Sequence, residues 1–225
     1  MKLGVLYSGG KDSTLALLYA REQHHEIACL ITLVSENPES YMFQVPNADW
    51  THLHAEALGV PLVRIATKGE KEKELVDLKK AIAEAKQKHG IDGIVTGAVR
   101  STYQASRIQQ ICHELDLWCF NPLWLKDQVE LLREVVQRGI VAVISGVFAE
   151  PLDETYLGKV IDAEMVERLA YAAQTHRINP AGEGGEIETT VLSAPDFMKK
   201  ITITKSSVTY KNHSGVFRIE EAKLQ

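Results

Sequence analysis

The sequence predicts an α/β protein, a parallel sheet with helices on both faces, followed by a small α+β C-terminal region. Two observations carry this. Over residues 1–148, short apolar runs alternate with stretches of helical periodicity, the pattern of successive βα units. Past Phe148 the alternation stops, and one helix leads into several strand-like stretches. The domain expectation follows directly: residues 1–148 form the α/β domain and 149–225 the smaller one.

Lys2 to Tyr7 reads as a buried strand and Thr14 to Arg21 as a densely apolar helix, with a glycine loop between them. Ile27 to Leu33 is a second strand. Trp50, Leu53 and Ala57 recur at helical spacing until Gly59, and Pro61 to Ile65 extends again. Glu70 to His89 is a charged helix with Leu75, Leu78 and Ile82 as its apolar stripe, stopped by Gly90 before a strand at Gly93 to Thr96. Ile108, Ile111, Cys112 and Leu115 mark another helix. Val141 to Ile144 reads as one more buried strand of the same sheet.

In the C-terminal region a helix from Asp162 to His176 precedes the glycine-rich Gly182 to Glu186. Strands are expected around Thr189 to Leu192, Lys200 to Thr204, Val208 to Lys211 and Val216 to Ile219, with a hairpin turn at Asn212 to Gly215. The apolar alternation changes parity between Ile203 and Val208, so a bulge near Ser206 and Ser207 is expected.

Composition narrows the class. A chain of 225 residues, 45% hydrophobic and 24% charged, is long enough to bury an active site. No apolar run approaches the roughly 20 residues of a membrane span, and the first residues lack a signal-peptide pattern. Cys29, Cys112 and Cys119 show no paired spacing, which suits reduced thiols and a cytoplasmic location. The net charge of −5, with lysines interleaved among glutamates, counts against a nucleic-acid partner. The eight histidines are scattered, and His52 and His54 face different sides of their helix. They are read as surface or capping residues, so no metal cluster is expected.

Chemistry concentrates in Ser8-Gly9-Gly10-Lys11-Asp12-Ser13. Paired glycines let the backbone approach a phosphate, and the following helix start presents amide donors and positive dipole. Lys11 adds a full charge. The spacing fits neither the Walker A loop nor the dinucleotide fingerprint. The loop resembles the PP-loop of the ATP-pyrophosphatase superfamily, which implies a Rossmann-like, HUP-type fold, ATP as co-substrate and cleavage between its α- and β-phosphates. On that resemblance Ser8 and Ser13 bond phosphate oxygens and Asp12 helps place Mg2+. A glycine turn that merely joins strand to helix is the alternative.

Later segments narrow the resemblance. Ser40 to Gln44, Gly97 to Gln104, Pro122-Leu123-Trp124, Leu157-Gly158-Lys159 and Gly182 to Thr189 together resemble the diphthine–ammonia ligase family over nearly the whole chain. The Glu-Gly-Gly-Glu-x-Glu motif is the most specific of them. The resemblance implies ATP-dependent amidation by ammonium of diphthine, a modified histidine on translation elongation factor 2. The products are diphthamide, AMP and pyrophosphate.

Diphthine carries a trimethylammonium group with no N–H, so aromatic faces and carboxylates must recognise it. Tyr41, Trp50, Trp124 and Tyr156 are candidate faces, and Glu183, Glu186 and Glu188 are candidate charges and catalytic groups. Core packing for the aromatics and a solvated turn for the glutamates are the competing readings. Gly184 and Gly185 allow close approach to substrate. Gly97 and Ser101, then Tyr103, Gln104 and Arg107, follow a strand at the sheet edge where ligands bind. Gln104 and Arg107 share a helix face and are expected to reach phosphate or substrate together. Lys159 is a candidate for phosphate charge. The expected nitrogen source is free ammonium or a separate supplier, and monomer and homodimer both remain open. Two other functions compete: a PP-loop tRNA-modifying enzyme, and a non-catalytic nucleotide-binding regulatory module.

Overall fold

A computed structural model describes residues 1–35, 46–68 and 73–225 of the chain. Five strands, β1 (Lys2–Leu6), β2 (Glu26–Ser35), β3 (Leu62–Thr67), β4 (Gly93–Val95) and β5 (Trp118–Phe120), form an all-parallel sheet in the order β3-β2-β1-β4-β5. The chain winds outward from β1 to β3, then returns to the other side of β1 with β4. The carboxyl ends of β1 and β4 therefore flank a topological switch point, where an open α/β sheet leaves a crevice.

Both faces of this sheet are covered at its central strands β1, β2 and β4, which is why these read as continuous apolar runs rather than alternating ones. On one face Cys29, Ile31, Leu33 and Ile94 pack against α3 (Lys73–His89) and α4 (Thr102–Glu114) through Leu78, Ile82, Ile108 and Ile111. On the other, Leu3, Val5, Tyr7 and Leu30 meet α1 (Lys11–Glu22) and α2 (Thr51–Leu58). Gly59 ends α2 in the left-handed conformation at φ +66°, as expected from its position.

The strand at Val141 to Val147, β6, corrects the sequence reading. It is not a further parallel strand. It pairs antiparallel with β7 (Ile187–Ser193) and β9 (Ser214–Leu224), and with β8 (Ile201–Lys211) they form a second sheet in the order β7-β6-β9-β8. Burial is the source of the error, because β6 is covered on both sides and so carries the same apolar signature as a parallel strand. Its Ala142, Ile144 and Val147 belong to the same core as α1, α5 (Gln128–Gln137) and α6 (Ala163–His176). The strand β5 and helix α5 are two elements the sequence reading missed. The Asp127 carboxylate, which accepts from the Val129 and Glu130 amides, was the available start signal for α5.

The expected α6 is present with Asp162 as its N-cap. β8 and β9 make one long hairpin whose turn is Asn212-His213, both at positive φ. This is shorter than the expected Asn212 to Gly215, a two-residue turn of the type that matches strand twist, with Ser214 and Gly215 already in β9. The ladder irregularity lies between Ile203 and Ser206, slightly before the expected bulge.

Candidate active site

A cavity of about 670 Å³ opens at the switch point. The phosphate loop forms one wall and the Gly182 to Thr189 segment of the second sheet forms another. Ser8, Gly10, Lys11, Asp12 and Ser13 line it from the loop, Gly97, Ser101 and Gln104 from the turn after β4, and Glu183, Gly184, Gly185 and Glu188 from the glutamate-glycine motif. Three segments distant in sequence thus converge on one space.

The loop is held by its neighbours. Gly9, at φ +83°, turns its carbonyl toward β7, where the Val191 amide donates to it at 2.8 Å. The Lys11 amide donates to Thr189 Oγ1 at 3.1 Å. Within the loop Ser8 Oγ accepts from the Gly10 amide and lies 3.4 Å from Ser13 Oγ, which keeps both hydroxyls at the cavity wall. Gly97 approaches so closely that a Cβ there would sit 2.8 Å from the Asp12 carbonyl carbon and the Ser13 nitrogen. Only glycine allows β4 to pack this turn against the start of α1.

Lys11 is only 2% exposed, and its ammonium donates to Asp12 Oδ2 at 2.9 Å and to the Ala181 carbonyl at 2.5 Å. Asp12 Oδ1 is buried and has no hydrogen-bond partner among the described residues. An orphaned carboxylate oxygen at a phosphate wall suits a hard divalent cation, which takes oxygen donors. No group of three or more His, Cys, Asp or Glu able to hold a metal exists among the described residues, so any such ion would lean on Asp12 and on nucleotide oxygens.

The three glutamates divide. Glu183 lines the cavity and accepts from the Arg100 amide at 2.7 Å, tying the motif to the turn after β4, and burial raises its carboxyl. Glu188 also lines the cavity, and burial pushes its carboxyl up to about 7, with Lys11 opposing the rise and Asp12 adding to it. Glu186 departs from the expectation. Its Oε1 accepts from the Asn179 amide at 2.9 Å and Nδ2 at 2.7 Å, and its Oε2 from the Gly184 amide at 2.8 Å. Three donors close the carboxylate onto its own loop, and it is not among the cavity-lining residues.

Asn179 links onward to Gln128, which is buried at the start of α5. Gln128 donates to Asn179 Oδ1 at 2.9 Å and accepts from the Ala181 amide at 3.2 Å. A chain of contacts therefore runs from α5 through the glycine motif to Lys11. Gln128 carries no sequence signal that would have singled it out, and Thr189 stood out only as the last residue of the Gly182 to Thr189 segment. Tyr7, Thr96, Ala98 and Phe148 also line the cavity without having been expected.

Several candidates stand elsewhere. Arg107 packs over the Tyr103 ring, 5.0 Å from its centroid, and neither lines the cavity beside Gln104. Lys159 is exposed on the strand-like segment beside β6, with its backbone paired to Ile144 and Tyr156, and does not line the cavity. Trp124, 36% exposed, lies outside the lining. The Trp50 indole donates to the Ile219 carbonyl, and the buried Tyr156 ring carries Arg168 at 4.2 Å, so both serve packing. Tyr41 lies outside the described residues. His54 overturns its surface reading: it is fully buried beneath the phosphate loop, whereas His52 is exposed.

Comparison with known proteins matches residues 1–118 to the diphthamide synthase N-terminal domain and residues 127–225 to the diphthamide synthase C-terminal domain. The chain is 34% identical to the diphthine–ammonia ligase of Mus musculus, covering 92% of this chain and 84% of that protein. It is 34% identical to the diphthine–ammonia ligase of Homo sapiens, covering 92% and 85%. A solved structure described as a predicted subunit of tRNA methyltransferase from Methanocaldococcus jannaschii aligns over 87% of this chain and 98% of its own, at 17% identity and a TM-score of 0.44, too distant to bear on function. A PP-loop wall, a facing glutamate-glycine wall and both matched domains in order give one conclusion: the chain belongs to the diphthamide synthase family.

Proposed function

We infer that the chain acts as a diphthine–ammonia ligase, joining ammonia to the carboxylate of diphthine on translation elongation factor 2 with conversion of ATP to AMP and pyrophosphate. The observation that carries this is the shared cavity, in which a phosphate-binding loop faces a carboxylate-bearing motif from the second sheet. Within this reading the parallel-sheet unit binds ATP. The antiparallel-sheet unit, to which residues 141–147 belong by their pairing, recognises the modified histidine. No helix among the described residues is long and apolar enough to cross a membrane.

The carboxylate oxygen of diphthine attacks the α-phosphorus, the bond to the β-phosphate oxygen breaks, and pyrophosphate leaves. Amides at the start of α1, the Ser8 and Ser13 hydroxyls and the Lys11 ammonium stabilise charge on the phosphates. Mg2+ held at Asp12 would neutralise further charge on the leaving pyrophosphate. Ammonia then attacks the acyl carbon of the mixed anhydride, the C–O bond to AMP breaks, and one proton from nitrogen goes to a base. Glu188 suits that proton, since a carboxyl raised to about 7 accepts it near neutral pH. Glu183 and Glu188 offer negative charge toward the trimethylammonium group.

The test incubates purified protein with ATP, magnesium, ammonium and diphthine-bearing elongation factor, and follows the mass of the modified histidine together with AMP. Amidation with one AMP per product is expected, and Lys11→Ala is expected to lower the rate at least about 10²-fold. AMP release with tRNA but none with the elongation factor would overturn the assignment in favour of a tRNA-modifying enzyme. ATP binding with no turnover in either mixture would leave a regulatory module.

A further inference from the structure

The phosphate loop does not hold its shape alone. Its Gly9 carbonyl is fixed by the Val191 amide of β7, and the carbonyl of the same Val191 lies 2.8 Å from Nε2 of His54 on α2. The imidazole is completely buried, set edge-on to Tyr7 at 5.5 Å on one side and to Phe197 at 5.9 Å on the other. Its Cε1 also backs the loop directly, since a Cβ built on Gly9 would lie 3.2 Å from it. One side chain therefore touches the end of β1, the glycine of the phosphate loop and the backbone of β7, three residues beyond Glu188.

Its other nitrogen, Nδ1, faces the Trp50 carbonyl of the preceding helical turn at 3.1 Å. Burial lowers the ring to about 4, so it is neutral and carries one N–H. The shorter contact assigns that hydrogen to Nε2 and to Val191. We propose that His54 is a positioning residue for ATP, whose Nε2–H holds β7 so that the phosphate loop and the Glu188 wall keep a fixed separation. It touches no substrate and acts through Val191 and Gly9. This role rests on the loop binding ATP, as the functional reading requires.

Glutamine and asparagine separate this role from simple core filling, because an amide nitrogen reaches the Nε2 position from glutamine but only the Nδ1 position from asparagine. The experiment measures ATP affinity of the full chain by calorimetry, Michaelis parameters for AMP formation, and thermal melting for wild type, His54→Gln and His54→Asn. Glutamine is expected to stay within about threefold of wild type in ATP affinity. Asparagine is expected to weaken it about tenfold, the worth of one buried hydrogen bond, with KM for ATP rising more than kcat falls. Equal ATP affinity in all three folded proteins would overturn the proposal, whatever their melting temperatures, and so would equal losses in both variants. Should asparagine fail to fold, a glutamine variant that melts like wild type yet loses ATP affinity tenfold would also overturn it. Absence of ATP binding by the wild type would instead count against the functional reading itself.

Discussion

Residue by residue, the site separates side chains that face the cavity from side chains that shape it. Glu186 belongs to the second group, since both its oxygens are occupied by Asn179 and Gly184. Glu186→Ala leaves three N–H donors without their acceptor, so the motif loosens. We expect ATP affinity within about threefold of wild type and amidation lower by about tenfold or more, since a lost charge-assisted contact is worth about 1.5–3 kcal/mol, read by paired binding and product assays. Glu188 gives a pH signature. Its carboxyl is raised from the ordinary 4.5 to about 7 by burial, so the folded protein holds a proton that the unfolded chain releases at lower pH. That contribution to stability is fully present below about pH 4.5 and is lost as pH rises through about 7. Glu188→Gln removes the effect. In protein free of nucleotide and magnesium, its melting temperature should gain on wild type between those two pH values, and parallel curves would contradict the assignment.

At the level of elements, local rules explain most of what is observed. Asp162 and Asp127 cap their helices, and Gly59 closes α2 at positive φ. The β8–β9 hairpin is the exception with a testable cost. His213 adopts φ +60° at the second turn position, where glycine is best suited. Its exposed contact with Glu150, at 3.1 Å, offsets little of this. His213→Gly should therefore stabilise the protein by about 0.5–1 kcal/mol, raising Tm by about 1–4 °C in calorimetry. A fall in Tm would show that the ion pair outweighs the turn strain.

For the molecule as a whole, the two sheets are not independent. Leu3, Val5 and Leu15 of the first unit share one core with Ala142, Ile144, Val147, Ile187 and Val191 of the second. The phosphate loop is stitched to β7 through Gly9 and Lys11. Unfolding in urea should follow a single transition by both tryptophan fluorescence and circular dichroism. ATP at about 100 times its Kd should add about 2.7 kcal/mol to stability. Two separated transitions, with ATP shifting only the first, would show that the shared core is not cooperative.

The sequence by itself determined the loop and most of the elements, β5 and α5 excepted. Apolar periodicity, glycine stops and the Ser8 to Ser13 turn are local properties, and local sterics and capping decide them. It also pointed to Glu183, Glu186 and Glu188 alike, through the resemblance that the glutamate-glycine motif carries. Tertiary structure alone decided that β6 joins the antiparallel sheet, since burial on both faces looks the same in a strand whatever its partners. Only the fold showed that Glu186 and His54 serve the loop's shape, while Arg107, Trp124 and Lys159 stand away from the cavity. Side-chain chemistry says what a residue can do, but its neighbours, drawn from segments distant in sequence, decide which of those capacities is left unsatisfied and therefore available to a substrate.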